Sequence, residues 1–346
     1  MAELDHWHPV LLADELGKKP VPQRLLGREI VLFRALDGKI GALADACPHR
    51  GMRLSEGRVE AGRLVCPYHG WTWAPDGTGK SPGTPTAKPC AEHFDAVERQ
   101  GAIWVKRAGA TATFPSFDVS GWHLMGRLRR RAKAPLELVL DNFIEVEHTP
   151  LVHVLLGYPV ERMHEVQCEV EATDTTVRVY NVGPQRSMAR PLYPLFQIEP
   201  GDLFVDEWTT HFSPVYTVYD QYWLDPRTRS PRPNRIRVAV FFVPVTAEET
   251  DIVALSYSLA PPWQRLGLNV LLFGLTRAFV GLEIGRDADL LGKLADKSPS
   301  LKGRSLGRFD KALVLARRRL ERLYRGRAPG ALPVVGERDI ETAELA

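Results

Sequence analysis

The chain has 346 residues, 44% of them hydrophobic and 25% charged, with a formal net charge of +3 and four cysteines. That length and balance suit two domains with substantial cores and exclude a disordered or repeat protein, and so small a net charge gives no reason to invoke nucleic acid. The opening MAELDHWHPV is acidic and has no apolar run of secretory type, so a cytoplasmic location is the expectation.

Short apolar runs at residues 30–33, 40–43, 63–65 and 103–105, punctuated by Asp37-Gly38, Asp76-Gly77 and Pro82-Gly83, predict the antiparallel strands of a small β domain. Within it lie Cys47-Pro48-His49 and Cys66-Pro67-Tyr68-His69, a C-x-H and a C-x2-H pair separated by sixteen residues. Two thiolates and two imidazoles in that pattern can hold one [2Fe–2S] cluster, with the cysteines on one iron and the histidines on the other, the arrangement of a Rieske centre. Neutral imidazoles raise such a cluster's potential to roughly −150 to +300 mV. Zinc is the rival, but structural zinc sites order their ligands as C-x2-4-C then H-x3-5-H, and the pairs here are interleaved. Arg50-Gly51 and Gly70-Trp71 supply turns beside the ligands. Cys90 and Cys168 remain, in no disulfide-like spacing, and are expected to be free buried thiols.

Beyond Phe114-Pro115 a second domain is expected. A helix is predicted over residues 136–148, running into Asp141-Asn142-Phe143-Ile144-Glu145-Val146-Glu147-His148 and on to His153. Histidines five apart sit about 140° out of phase on one straight helix, but Pro150 favours a break or a new first turn that lets both turn to one point. Two histidines and a carboxylate form the facial triad that binds Fe(II) with positions left open. Strands are predicted over 165–181, 203–212, 215–223, 236–245 and 252–259, and helices over 264–291 and 306–324. On the first of these helices, Glu283 and Asp287 share a face and Asp289 lies off it. The apolar run 266–276 is too short to span a bilayer and suggests a buried helix, with a membrane-surface contact as the alternative. The basic runs 127–133 and 317–325 could dock an acidic ferredoxin or simply face water. The tail after Gly326 has no period and reads as loosely ordered.

CPHRG, CPYHGWTW and VERQGAIW resemble the N-terminal domain of Rieske non-haem iron oxygenases, and DNFIEVEHTPLVH resembles their D-N-x-x-D-x-x-H-x4-H motif, particularly in the vanillate demethylase-like and aromatic ring-hydroxylating branch. The resemblance implies an α+β chain, with an all-β Rieske domain over residues 1–112 and a helix-grip catalytic domain over 113–346. It implies that Cys47, His49, Cys66 and His69 carry the [2Fe–2S] cluster, and that His148, His153 and an acidic residue hold a mononuclear Fe(II). Asp287 is the candidate for that third ligand, with Asp289 and Glu283 as competitors, because Arg286-Asp287 replaces the family's usual Glu-Asp. Glu145 stands where most members carry the aspartate that links the neighbouring subunit's cluster to an iron-ligating histidine. Asp141 and Asn142 match the residues flanking that site and are read as catalytic support or as helix caps. A homotrimer is implied too. No G-x-G-x-x-G follows a strand and no second cysteine cluster is present, so a separate NAD(P)H-dependent reductase, a ferredoxin, or both must supply electrons.

The expected function is that of an oxygenase component using O2 to hydroxylate, dihydroxylate or oxidatively demethylate an apolar, aromatic or polycyclic small molecule. The alternative is a Rieske electron-transfer or ligand-binding protein without a mononuclear iron.

Overall fold

The computed structural model describes residues 2–154, 156–259 and 269–327. The chain forms two compact units, Met1–Pro115 together with Val243–Asp251, and Ser116–Phe242 together with the chain from Ile252 onward. The segment 243–251, a hairpin tip, thus belongs to the first unit, an excursion that a single boundary in sequence does not foresee.

The first unit contains β1 (His8–Leu12), β2 (Val21–Leu25), β3 (Arg28–Arg34), β4 (Ile40–Ala44), β5 (Arg58–Glu60), β6 (Arg63–Val65), β7 (Thr72–Trp73), β8 (Gly79–Lys80), β9 (His93–Arg99) and β10 (Ala102–Arg107). Six of them form a sheet in the order β1-β10-β9-β4-β3-β2, and β5 to β8 form a second, four-stranded sheet in sequence order. The backbone N–H groups of Leu26 and Gly27 donate to the carbonyls of Pro244 and Val245, at 2.9 and 2.7 Å, which ties the hairpin tip to this unit. Val31, Phe33, Leu43, Leu54, Leu64 and Trp73 make a core that also includes Cys47 and Cys66, so the cysteines are anchored by apolar packing as well as by their loops.

The second unit is one seven-stranded sheet, from β11 (Trp122–Ala132), β12 (Gln167–Ala172), β13 (Thr176–Pro184), β14 (Leu203–Phe212), β15 (Val215–Leu224), β16 (Pro231–Pro244) and β17 (Thr250–Leu259), in the order β11-β17-β16-β15-β14-β13-β12. Helices α1 (Leu136–Asn142), α2 (Thr149–Val152), α3 (Leu192–Phe196), α4 (Asn269–Gly292) and α5 (Lys311–Arg319) complete it. Along β14 the residues Phe204, Asp206, Trp208, Thr210 and Phe212 are all buried, which marks one face of the sheet as inner. The core under the helices joins Leu140, Phe143, Phe204, Trp208, Trp223 and Phe242 with Ile284 and Leu291 of α4. α4 packs on β11 and α1, and α5 on β12 and β13.

The structure corrects several boundaries. The strand predicted over 165–181 is a hairpin, turned where Thr176 N donates to Thr173 Oγ1 at 3.0 Å and Thr173 N donates to the Thr176 carbonyl at 3.0 Å. The helix predicted over 136–148 stops at Asn142, because the Glu145 carboxylate takes the backbone N–H groups of Glu147 and His148 and offers the chain an alternative to another helical turn. Helix 306–324 begins only at Lys311 after a 3-10 turn, and its last turn, Leu320–Tyr324, is of π type. Residues 127–133, read as the wet face of a strand or a helix, lie largely in β11, a strand whose bounds the sequence reading did not give.

The run 317–325 is not a free basic face. Arg317 clasps Asp141 with bonds of 2.9 and 2.6 Å, Arg319 and Arg322 donate to the carbonyls of Thr173 and Asp174, and Arg325 pairs with Glu137 and Glu321. The predicted start at Gln264, the first part of the apolar run 266–276 and the tail from residue 328 lie outside the described residues. Cys168 is half-buried and Cys90 exposed, so the expectation of buried thiols fails, although neither forms a disulfide.

Candidate metal centres and substrate cavity

The two cysteine loops of the first unit are copies of one turn. Cys47 N donates to the Met52 carbonyl at 2.8 Å and Gly51 N to the Cys47 carbonyl at 2.8 Å. In the second loop Cys66 N donates to the Trp71 carbonyl at 2.8 Å and Gly70 N to the Cys66 carbonyl at 3.1 Å. Gly51 and Gly70 have φ of +71° and +68°, the left-handed region that favours glycine, which explains the shared C-P-x-x-G pattern. The cysteines are 2% exposed, whereas His49 is exposed and His69 half-buried. The two imidazoles lie 4.6 Å apart between centroids, and His49 stacks on Trp71 at 4.5 Å and 11°. Burial, and after it the neighbouring Cys66 thiol, push the Cys47 thiol above its usual value, so thiolates here call for a compensating cation.

Among the described residues, His148, His153 and Asp287 are the set of three or more His, Cys, Asp or Glu side chains whose ligand atoms all lie within 4.8 Å of one another. The Cys47, His49, Cys66 and His69 quartet does not converge in that way. A single tetrahedral zinc with bonds of about 2.0–2.3 Å needs four mutually close donors. The quartet instead offers a cysteine edge and a histidine edge, the division that a two-iron cluster uses.

In the second unit, α2 does what Pro150 suggested: it is one turn long, with Pro150 in its first turn, His148 as its N-cap and His153 as its C-cap. The helix ends swing the two imidazoles together, 5.1 Å between centroids and at 83°. Asp287 arrives from α4, where Ile284, Asp287, Ala288 and Leu291 form the buried face. Its carboxylate lies 3.1 Å from His153 Nε2 and 3.5 Å from His148 Nε2. These spacings are close to the ~3 Å edge of an octahedron with bonds of about 2.1 Å. His148 Nε2 is buried without a hydrogen-bond partner, an orphan that a metal bond would satisfy.

The electrostatics point the same way. Burial works against charge on His148, yet the carboxylates of Asp287 and Glu145 raise it to about 10. Burial likewise opposes charge on Asp287, yet the two histidines hold its carboxyl well below the usual range. The site therefore selects positive charge, whether proton or metal ion.

Around the triad, Glu145 Oε1 meets His148 Nδ1, which fixes that ring's orientation and leaves Nε2 for a ligand. Glu283, one turn before Asp287, sits 3.6 Å from His153 Nδ1 and accepts the Val154 N–H at 3.2 Å. Asp289 is exposed on the opposite face of α4. Asn142 lines the cavity with its amide nitrogen buried and unpaired. Asp141 does not: it is held by Arg317, away from the cavity lining, and both residues sit in the last turn of α1 rather than at an N-cap. A carboxylate buried this deeply requires its charge partner, so the Arg317 clasp gives Asp141 a structural role.

The cavity beside the triad encloses about 120 Å3 and is walled by Phe143, Leu156, Phe204, Trp208, Tyr219, Val238, Val240 and Ile284. The Tyr219 hydroxyl donates to the Phe143 carbonyl and closes one side. Asp206 and Gln221 also line it. The sequence reading missed both. The signal was present in LFVDEWTTHF, where an aspartate holds an inner position two residues from Phe204 and from Trp208. Burial pushes the Asp206 carboxyl up to about 6.

Comparison with known proteins gives the same two parts. Residues 6–107 match the Rieske [2Fe-2S] domain and residues 132–326 the vanillate O-demethylase oxygenase C-terminal domain. The vanillate O-demethylase oxygenase subunit of a Pseudomonas species is 32% identical over 156 residues, 42% of this chain and 44% of that one. Chlorophyllide a oxygenase of Arabidopsis thaliana is 32% identical over 152 residues, 42% of this chain and 28% of that protein. The matches thus span less than half the length of these curated relatives. The crystal structure of dicamba monooxygenase bound to 3,6-dichlorosalicylic acid superposes with a TM-score of 0.75, at 18% identity, over 93% of this chain and 97% of that one, a likeness of fold.

Proposed function

The chain belongs to the vanillate O-demethylase oxygenase family, carrying that family's C-terminal domain with a Rieske [2Fe–2S] domain before it, and we propose that it is the oxygenase component of a Rieske non-haem iron system acting on an aromatic small molecule. The observation that carries this reading is the meeting of His148, His153 and Asp287 beside an apolar cavity, in a chain that also has the Rieske loops. An electron carrier has no use for such a cavity.

Cys47, His49, Cys66 and His69 would hold the [2Fe–2S] cluster, within a first domain of residues 1–112, and His148, His153 and Asp287 would hold Fe(II), within a second domain of 113–346. When bound, the two groups supply one-electron relay and dioxygen activation. The protein's own share is positional. Glu145 orients His148, and Glu283 stands against His153. The aromatic walls exclude water and hold the substrate ring at the open side of the triad. The half-buried and exposed cluster histidines, with Trp71 stacked on His49, give electrons an edge at which to enter or leave.

A homotrimer is the assembly that fits Glu145 as a link to a neighbouring subunit's cluster, through a head-to-tail interface closing into a ring. Electrons would come from a separate reductase or ferredoxin. Among the described residues no helix is long and apolar enough to cross a membrane, and a cytoplasmic enzyme is the setting we propose.

The test is a single turnover: cluster-reduced, iron-loaded protein mixed with 18O2 and a panel of aromatic methyl ethers and unsubstituted arenes. Label in a hydroxylated product, or in formaldehyde trapped as it is released beside an unlabelled phenol, supports the reading. Reoxidation of the cluster by O2 with no oxidised organic product across the panel contradicts it.

A further inference from the structure

The inner face of the catalytic sheet carries a polar row that packing alone does not call for. Asn181 on β13, Asp206 on β14 and Gln221 on β15 face one another in register, between the aromatic cross-strand pairs Phe204–Trp223 and Trp208–Tyr219. Asn181 Nδ2 donates to the Asp206 carbonyl at 3.1 Å, and Gln221 Nε2 donates to Asp206 Oδ1 at 3.2 Å. Asp206 is 7% exposed. A carboxylate buried among aromatics with a neutral amide as its side-chain donor costs stability that an apolar residue would not. Its position on the cavity wall gives the cost a purpose.

The charge of the cavity makes the purpose specific. Among the described residues no lysine or arginine lines it, whereas Glu145, Asp206, Glu283 and Asp287 do. Arg186 and Arg286 reach the α2 segment, but they donate to the carbonyls of Pro150, Val152 and His153. A divalent ion at the triad would answer the carboxylates around it, whereas among the described residues no lysine or arginine pairs with Asp206 on the sheet wall. Two positions along the strand, Trp208 Nε1 is a buried donor without a partner. The wall thus offers a carboxylate acceptor beside neutral donors at Trp208 and Asn142 and, among the described residues, no lysine or arginine to neutralise a substrate carboxylate.

We infer that Asp206 is a specificity residue, which selects a ring-sized, neutral or cationic substrate donating a hydrogen bond from a hydroxyl or amine, and which rejects aromatic carboxylates. This rests on the oxygenase reading for where the substrate lies. A cavity of about 120 Å3 is of the size that takes a single ring, since an apolar cavity of about 150 Å3 holds benzene. A hydrogen bond to a charged partner contributes enough to change affinity by roughly ten- to a hundredfold.

The experiment is calorimetric titration of the anaerobic holoenzyme with two probes that share a ring and a methyl ether, 2-methoxyphenol and 2-methoxybenzoate. The wild type should bind the phenol at least tenfold tighter, and Asp206→Asn should reduce that preference to nearly nothing. Equal or tighter binding of the benzoate by the wild type overturns the inference, as does an unchanged preference in a folded D206N. If D206N does not fold, the wild-type comparison decides alone. The Rieske and iron–nitrosyl resonances of the same samples separate the two readings: loss of the nitrosyl signal in the wild type strikes at the oxygenase, and intact signals with benzoate preferred strike only at Asp206.

Discussion

The two candidate metal centres are built on opposite plans. In the first unit the ligands are local, two per loop, and the loops repeat one hydrogen-bonded turn with buried cysteines and more open histidines. In the second unit the ligands are far apart in the chain, His153 and Asp287 being 134 positions distant, and all three close on a cavity. The difference follows from what each must do. A relay needs an edge within reach of its partners, whereas oxidative chemistry needs water kept away and a substrate held still.

The largest effect should come from Cys66→Ser. Loss of one thiolate from a buried pair should abolish the reduced Rieske resonance, while iron at the triad, read by its nitrosyl signal, persists. Retention of the Rieske resonance would make the two loops something other than cluster ligands. Glu145→Gln comes next. It keeps the shape but removes the charge that orients and polarises His148, so iron affinity or turnover should fall about 10- to 100-fold, measured by metal titration against a chelator. An unchanged affinity would mean that the Glu145 contact is incidental.

Asp141→Asn is expected to leave both metal signals in place but to destabilise the second unit by about 3 kcal/mol, because it strands the Arg317 charge. Denaturant melts followed by tryptophan fluorescence would measure this, and a loss of iron without a loss of stability would return Asp141 to the active site. The smallest effect belongs to the first unit and to pH. Burial, and after it the charge of His6, lowers His8 from 6.5 to about 3. The unfolded chain therefore takes up a proton below about 6.5 that the folded chain refuses until about 3, and stability falls as pH drops through that window. Between pH 7.5 and pH 5 the loss is about 2 kcal/mol. His8→Gln should flatten the profile by that amount.

Sequence carried these two sites unequally. C-x-H and C-x2-H are ligand spacings, and the glycines after them mark left-handed turns, so the cluster loops could be read without a fold. Pro150 likewise announced the break that α2 supplies between the two histidines. The α4 period separated Asp287 from Asp289, since only one face of a helix can look inward, but it could not say that Glu283 would stand against His153. The Asp141–Arg317 clasp joins positions 176 apart, and no local pattern distinguishes such a pair from a cap or an exposed charge. β11 was hidden by its arginines, because four of them fall between Arg127 and Arg131 and leave Leu128 as the one apolar residue of that stretch, so that it reads as a charge run. Asp206 was hidden differently: a lone acid in an alternating strand carries no motif, and only the register with Asn181 and Gln221 shows it to be inner.

The most direct test of the central claim is electron paramagnetic resonance of anaerobic, dithionite-reduced protein before and after nitric oxide. Two functional centres in one chain require a reduced Rieske signal together with a high-spin iron–nitrosyl signal, the second vanishing in His153→Ala while the first is unchanged. A Rieske signal with no nitrosyl species in iron-replete wild type, or a nitrosyl signal that survives His153→Ala, would contradict the account.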